Sequence, residues 1–233
     1  MRGLDTGDGL PPTGGILQYR QEGRASAAAF LPGQRGARNV LKIGGLTPFT
    51  TIDYPDHLAA VLFCRGCPWR CGYCHNRSLL DTDAPGDLCW DKVLTFLESR
   101  RGLLDAVVFS GGEPTGQPSL KQAVQAVREQ GFLVGLHTAG AFPETLIEVL
   151  PYLDWVGMDL KAPFHEYARI TGVPGSGDAA RESALLIRES GVAHQFRTTL
   201  DPLLLTDGRL ESLRRMVEVE WGSTFLTQQI SPV

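Results

Sequence analysis

From Asn39 onward the chain alternates short apolar runs with amphipathic stretches at helical spacing, and this alternation narrows the possible folds more than any other feature. Leu58–Phe63 (LAAVLF) predicts a buried strand. Asp87 is positioned to cap a helix that carries Trp90, Val93, Leu94 and Leu97 on one face. Ala106–Phe109 predicts the next strand. Ser119 precedes a helix reaching Gln130, with Gly131 just past its end. The pattern continues as strand Phe132–Leu136, helix Pro143–Leu150, strand Trp155–Leu160 and helix 179–190 closed by Gly191. Strand His194–Leu200 and helix Leu210–Val219 end it. Such alternation means βαβ units and a parallel sheet. About six repeats fit, short of the eight of a closed barrel, so the expected fold is α/β: an open partial (β/α)6 barrel of parallel strands.

Residues 1–38 are of another kind. They are rich in Gly, Pro, Arg and Ala without periodicity, and predict a disordered or non-native extension ahead of one domain, 39–233. With 42% hydrophobic residues in 233, the chain can bury a real core. Its net charge of −4 shows no basic excess of the kind nucleic acid attracts. No apolar run approaches the roughly 20 residues of a membrane span, and no export signal is visible. The expected setting is the cytoplasm.

Four of the five cysteines fall at 64, 67, 71 and 74, and Cys89 stands alone. An odd, tightly clustered set is a poor disulfide framework and reads as a metal site in a reducing compartment. Taken as four ligands, the run is C-x2-C-x3-C-x2-C. Zinc ribbons separate their pairs by about 15–20 residues, and the ferredoxin run is spaced differently. Taken as three ligands, Cys67-x3-Cys71-x2-Cys74 leaves one iron of a cubane open to bind a small molecule, as an open zinc position does.

Three further loops follow predicted strands, on the face where parallel sheets bind ligands: Ser110–Pro114, His137–Gly140 and Asp159–Pro163. Gly111 and Gly112 permit close backbone approach, and the Glu113 carboxylate suits an ammonium group. Asp159 and Lys161 share one side of an extended segment. Arg197 offers a guanidinium fork at the end of the last predicted strand.

The three-cysteine spacing with Tyr73 before the last cysteine resembles the radical S-adenosylmethionine (SAM) superfamily, whose hallmark is C-x3-C-x-aromatic-C. The resemblance implies a [4Fe–4S] cluster on Cys67, Cys71 and Cys74, with SAM chelated to the open iron and cleaved by one electron to a hydrogen-abstracting 5′-deoxyadenosyl radical. It implies that Gly111, Gly112 and Glu113 are the GGE motif at the SAM amino group. Thr138 would lie near the SAM ribose or carboxylate, and Asp159, Lys161 and Arg197 beside SAM or substrate.

Ile43–Pro55 (IGGLTPFTTIDYP), Phe63–Asn76 and Val156–Pro163 (VGMDLKAP) together resemble the activating proteins of anaerobic ribonucleoside-triphosphate reductase. That likeness covers about residues 40–230. It implies abstraction of hydrogen from a glycine Cα of the reductase, with a flavodoxin- or ferredoxin-type electron donor. The chain departs from the pattern at Asp56, where glycine is expected, in its first 38 residues and at its C-terminus. The alternatives are activation of another glycyl-radical enzyme such as pyruvate formate-lyase, a radical SAM reaction on a peptide or small molecule, and a non-catalytic metal-binding module.

Overall fold

A computed structural model of the chain describes residues 41–201 and 206–229; the expected extension 1–38 lies outside them. Seven strands form one sheet in sequence order: β1 (Ile43–Thr50), β2 (Ala59–Cys64), β3 (Ala106–Gly111), β4 (Leu133–Thr138), β5 (Trp155–Asp159), β6 (Ala193–Leu200) and β7 (Phe225–Gln229). β2 to β7 are parallel, and β1 pairs antiparallel with β2 through two irregularities of register. The edges do not pair with each other, so the barrel is open. Helices α1 (Trp90–Glu98), α2 (Leu120–Glu129), α3 (Pro143–Val149), α4 (Tyr167–Thr171), α5 (Ser176–Ser190) and α6 (Asp207–Arg214) fill the crossovers. A π-helical stretch, Arg215–Glu220, extends α6.

The six parallel strands match the expected repeat number; five of them, β2 to β6, fall on the predicted strand runs, and β1 and β7 are additions to those runs. β1 was expected only as a segment preceding the first strand, because IGGLTPFT carries two glycines and a proline. β7 is an edge strand of five mostly exposed residues, so it carries no buried run. At α1 the cap is Cys89 instead of Asp87, because the Asp87 carboxylate is taken by Arg65.

Strand alternation sorts the side chains. Ala60, Leu62 and Cys64 of β2, Val107 and Phe109 of β3, Val134 and Leu136 of β4, and Val156 and Met158 of β5 join the large core under the helices. The residues between them face inward. Ala59, Val61, Ala106, Val108 and Trp155 build a small inner core around Tyr54. Tyr54 comes from the β1–β2 connection and packs on Trp155 with ring centroids 5.3 Å apart. The inner face is thus apolar at the N-terminal end of the strands, while inward positions nearer their C-terminal ends carry Ser110, His137, Asp159 and Arg197.

The β1–β2 connection turns at Asp56, where φ is +61°, making it the one non-glycine residue in the left-handed region among the described residues. The position where the resemblance expects glycine therefore has a backbone that suits glycine.

Candidate active site

The cysteine loop leaves β2 and is held at its base. Gly66 N–H donates to the Leu79 carbonyl (2.7 Å) and Cys67 N–H to that of Leu80 (3.3 Å). On one side Arg70 N–H donates to the Thr171 carbonyl (2.9 Å), and buried Trp69 meets Tyr167 edge-on at 5.9 Å. All five cysteines are free thiols. Cys67, Cys71 and Cys74 are half-buried in the loop, whereas Cys64 is fully buried on the helix-covered face of β2. Burial pushes the Cys67 thiol up to about 12 and raises those of Cys64 and Cys71.

The loop after β3 docks directly on this base. Gly112 N–H donates to the Cys64 carbonyl and Glu113 N–H to that of Gly66, both at 2.8 Å. A Cβ on Gly111 would stand 2.5 Å from the Cys64 backbone, and one on Gly112 would stand 2.3 Å from the Gly66 oxygen. The glycines thus serve a close approach between two loops of the chain itself. Glu113 is 1% exposed. Its Oε1 accepts from Thr115 N–H (3.1 Å), the Thr115 hydroxyl (2.6 Å) and the Thr138 hydroxyl (2.7 Å), and its Oε2 from Ala139 N–H (2.8 Å). Burial raises its pKa while these bonds oppose the rise; every partner is a donor, which suits the ionised form. The Glu113 carboxylate ties the loop after β3 to the end of β4 and the loop that follows it.

The inward-facing polar residues form one network. Arg197 Nε donates to Asp159 Oδ1 (3.0 Å), and Lys161 Nζ lies 3.4 Å from Asp159 Oδ2. Burial alone would raise the Asp159 pKa, but the Arg197 and Lys161 charges overcome it and hold the carboxyl at about 2. Lys161 Nζ also stands 5.8 Å over the Tyr73 ring. The Tyr73 hydroxyl is buried without a hydrogen-bond partner among the described residues, and burial pushes its pKa to about 12. His137 Nε2 lies 2.9 Å from the Asp53 carbonyl and 3.3 Å from Arg197 Nη1, and Nδ1 lies 3.3 Å from the Ser110 hydroxyl. Burial, reinforced by the Arg197 charge, lowers the His137 pKa to about 3 and keeps it neutral.

The expected residues therefore gather at one mouth. Lys161 reaches Tyr73 of the cysteine loop, Glu113 joins Thr138, and Arg197 joins Asp159. Sequence reasoning missed the Asp53–Tyr54 segment, which lies inside the barrel against His137 and Trp155. Its one signal was the DYP tripeptide within the segment of family likeness. Among the described residues no three His, Cys, Asp or Glu side chains are grouped to hold a single metal ion. Three free thiols on one loop, beside the Tyr73 ring and a lysine, suit an iron–sulfur cluster with one iron left without a protein ligand. Among the described residues no helix is long and apolar enough to cross a membrane.

An open parallel barrel with a three-cysteine loop after its first parallel strand defines a class, and the sequence profile of the radical SAM superfamily matches residues 61–217. The chain belongs to the radical SAM superfamily, a family of enzymes whose cofactors are SAM and a [4Fe–4S] cluster. It is similar to the pyruvate formate-lyase-activating enzyme of Clostridium pasteurianum, with 29% identity over 185 residues, 76% of this chain and 75% of the relative. It is also 28% identical over 183 residues to a Methanocaldococcus jannaschii protein provisionally named a glycyl-radical enzyme activating enzyme, at the same coverages. The crystal structure of Streptococcus suis SuiB bound to S-adenosylmethionine shares the fold: TM-score 0.59, 16% identity, over 72% of this chain and 39% of that one.

Proposed function

We propose that this chain is a glycyl-radical activase that takes a hydrogen atom from a glycine Cα of anaerobic ribonucleoside-triphosphate reductase. Cys67, Cys71 and Cys74 would hold the cluster. The observation that carries this reading is the split between those three half-buried thiols on the loop and Cys64, which strand alternation turns into the helix-covered core. When bound, the cluster supplies the electron that cleaves SAM to a hydrogen-abstracting radical.

The chain's own residues hold and orient. Gly111 and Gly112 seat the loop after β3 on the base of the cysteine loop. Glu113 fixes Thr138 and Ala139 at the mouth, so that backbone groups and Thr138 meet SAM. Lys161, Asp159 and Arg197 form a charged floor for SAM or the substrate backbone, and Tyr73 closes the side nearest the cluster. His137 pins the Asp53–Tyr54 segment, which fills the barrel below that floor.

The likeness of Ile43–Pro55 and Phe63–Asn76 to reductase activases supports the named partner. The relative named for pyruvate formate-lyase supports a second reading, with that enzyme as target. The test is anaerobic reconstitution with reductant and SAM, adding each candidate enzyme in turn and reading the glycyl radical by electron paramagnetic resonance. A signal with the reductase alone establishes the first reading. A signal with pyruvate formate-lyase alone establishes the second. SAM cleavage without either signal refutes both partners.

A further inference from the structure

The proposed reaction consumes one electron per SAM, and the sequence has no second cysteine cluster to store it. Beyond the three loop cysteines there are only Cys64, sealed in the core, and Cys89, which stands alone. The electron therefore arrives from outside, and the side of the loop open to solvent is its short way in.

That side has a distinct charge. Cys64 to Leu80 contains Arg65, Arg70, His75 and Arg77 and not one acid, in a chain of net charge −4. Arg65 is spent on Asp87. Arg70 and Arg77 are exposed and make no ion pair among the described residues. Both are turned back on the cysteine loop. Arg70 Nη1 donates to the carbonyls of Cys67 (2.5 Å) and Trp69 (3.0 Å), and Arg77 Nη2 donates to the Gly72 carbonyl (2.6 Å). Two guanidinium groups are thus fixed on carbonyls of, or next to, the proposed ligands Cys67 and Cys71, with exposed Gly72 and His75 beside them. The following acids lie in the next turn, where Asp81 Oδ1 accepts from the backbone of Asp83 and Ala84.

We infer that Arg70 and Arg77 form the docking face for an acidic one-electron carrier protein, which reduces the cluster through the outer side of the cysteine loop. A carrier with a reduced flavin would give up one electron and one proton to become the semiquinone. The cluster gains that electron, the proton goes to solvent, and no bond between the proteins forms. Exposed, unpaired cations at fixed positions govern encounter rate and its salt dependence more than final affinity.

This inference rests on the proposed cluster, so the test uses reconstituted protein and follows cluster absorbance in stopped flow, with no glycyl-radical readout. The probes are a fully reduced acidic flavodoxin and photoreduced deazariboflavin, a small neutral reductant. Reduction by flavodoxin should slow steeply with added salt, and the Arg70→Glu/Arg77→Glu variant should slow it by roughly ten- to a hundredfold at low salt. Reduction by deazariboflavin should be unchanged in both cases. A flavodoxin rate indifferent to salt and to charge reversal overturns the inference. Equal slowing with both reductants also overturns it, because the arginines would then act on the cluster itself. If charge reversal prevents cluster loading, Arg70→Gln/Arg77→Gln and the wild-type salt series decide. A wild-type protein that binds no cluster would instead refute the parent reading.

Discussion

The cysteine loop and the loops after β3 and β4 sit side by side at the same mouth and are built in opposite ways. The first keeps its chemistry unspent: its three thiols are free, and the Tyr73 hydroxyl has no partner among the described residues. The second spends everything on itself, with four donors on one buried carboxylate and two glycines pressed against a neighbouring backbone. A site that must accept a bulky inorganic group leaves donors idle until the group arrives. The frame around it has to be rigid beforehand, and so its polar atoms are satisfied within the chain.

Substitutions can break that contrast. Cys67→Ala, Cys71→Ala or Cys74→Ala should each abolish the cluster, read as loss of bound iron and sulfide, yet leave the denaturation midpoint of the cluster-free protein almost unmoved. Cys64→Ala should retain full iron; loss of the cluster there would restore the four-ligand site. Glu113→Ala should show the reverse. It strands four buried donors and should cost about 3–5 kcal/mol in chemical denaturation. The cluster should remain, and SAM affinity measured by calorimetry should fall because the loops lose their tie. Unchanged stability would show that the carboxylate is not the staple its contacts describe.

His137 sharpens the same comparison through pH. Its folded pKa, about 3, lies below the ordinary 6.5. The unfolded chain therefore binds a proton in that window and the folded chain does not. Stability from this group is complete above pH 6.5 and is lost as pH falls toward 3, at about 1.4 kcal/mol per unit. His137→Gln should flatten the acid limb of a stability-versus-pH curve by about one proton. An unaltered slope would mean that the ring is not held neutral.

These contrasts also mark what could be seen in the sequence. The parallel strands β2 to β5 were legible because each carries an apolar run, as burial on both faces requires. The cysteine spacing was legible because cluster ligands lie close in the chain. β1 and β7 were not, since edge strands need no buried run. The hydrogen bonds from Glu113 to Thr138 and Ala139 were not legible, because they join residues 25 and 26 apart in sequence. The His137–Asp53 contact joins residues 84 apart in sequence, and nothing nearby announces it. Register decides such pairs, and register is a property of the assembled sheet.

The turn at Asp56 carries a separate lesson. A side chain sits there on a backbone suited to its absence. Aspartate tolerates the left-handed region better than most residues but still gives up about 1 kcal/mol to glycine. Asp56→Gly should raise the melting temperature by a few degrees, measured calorimetrically, with cluster content unchanged. What matters at this point is the path of the backbone, and the stability forgone there is a reserve that a single substitution could restore.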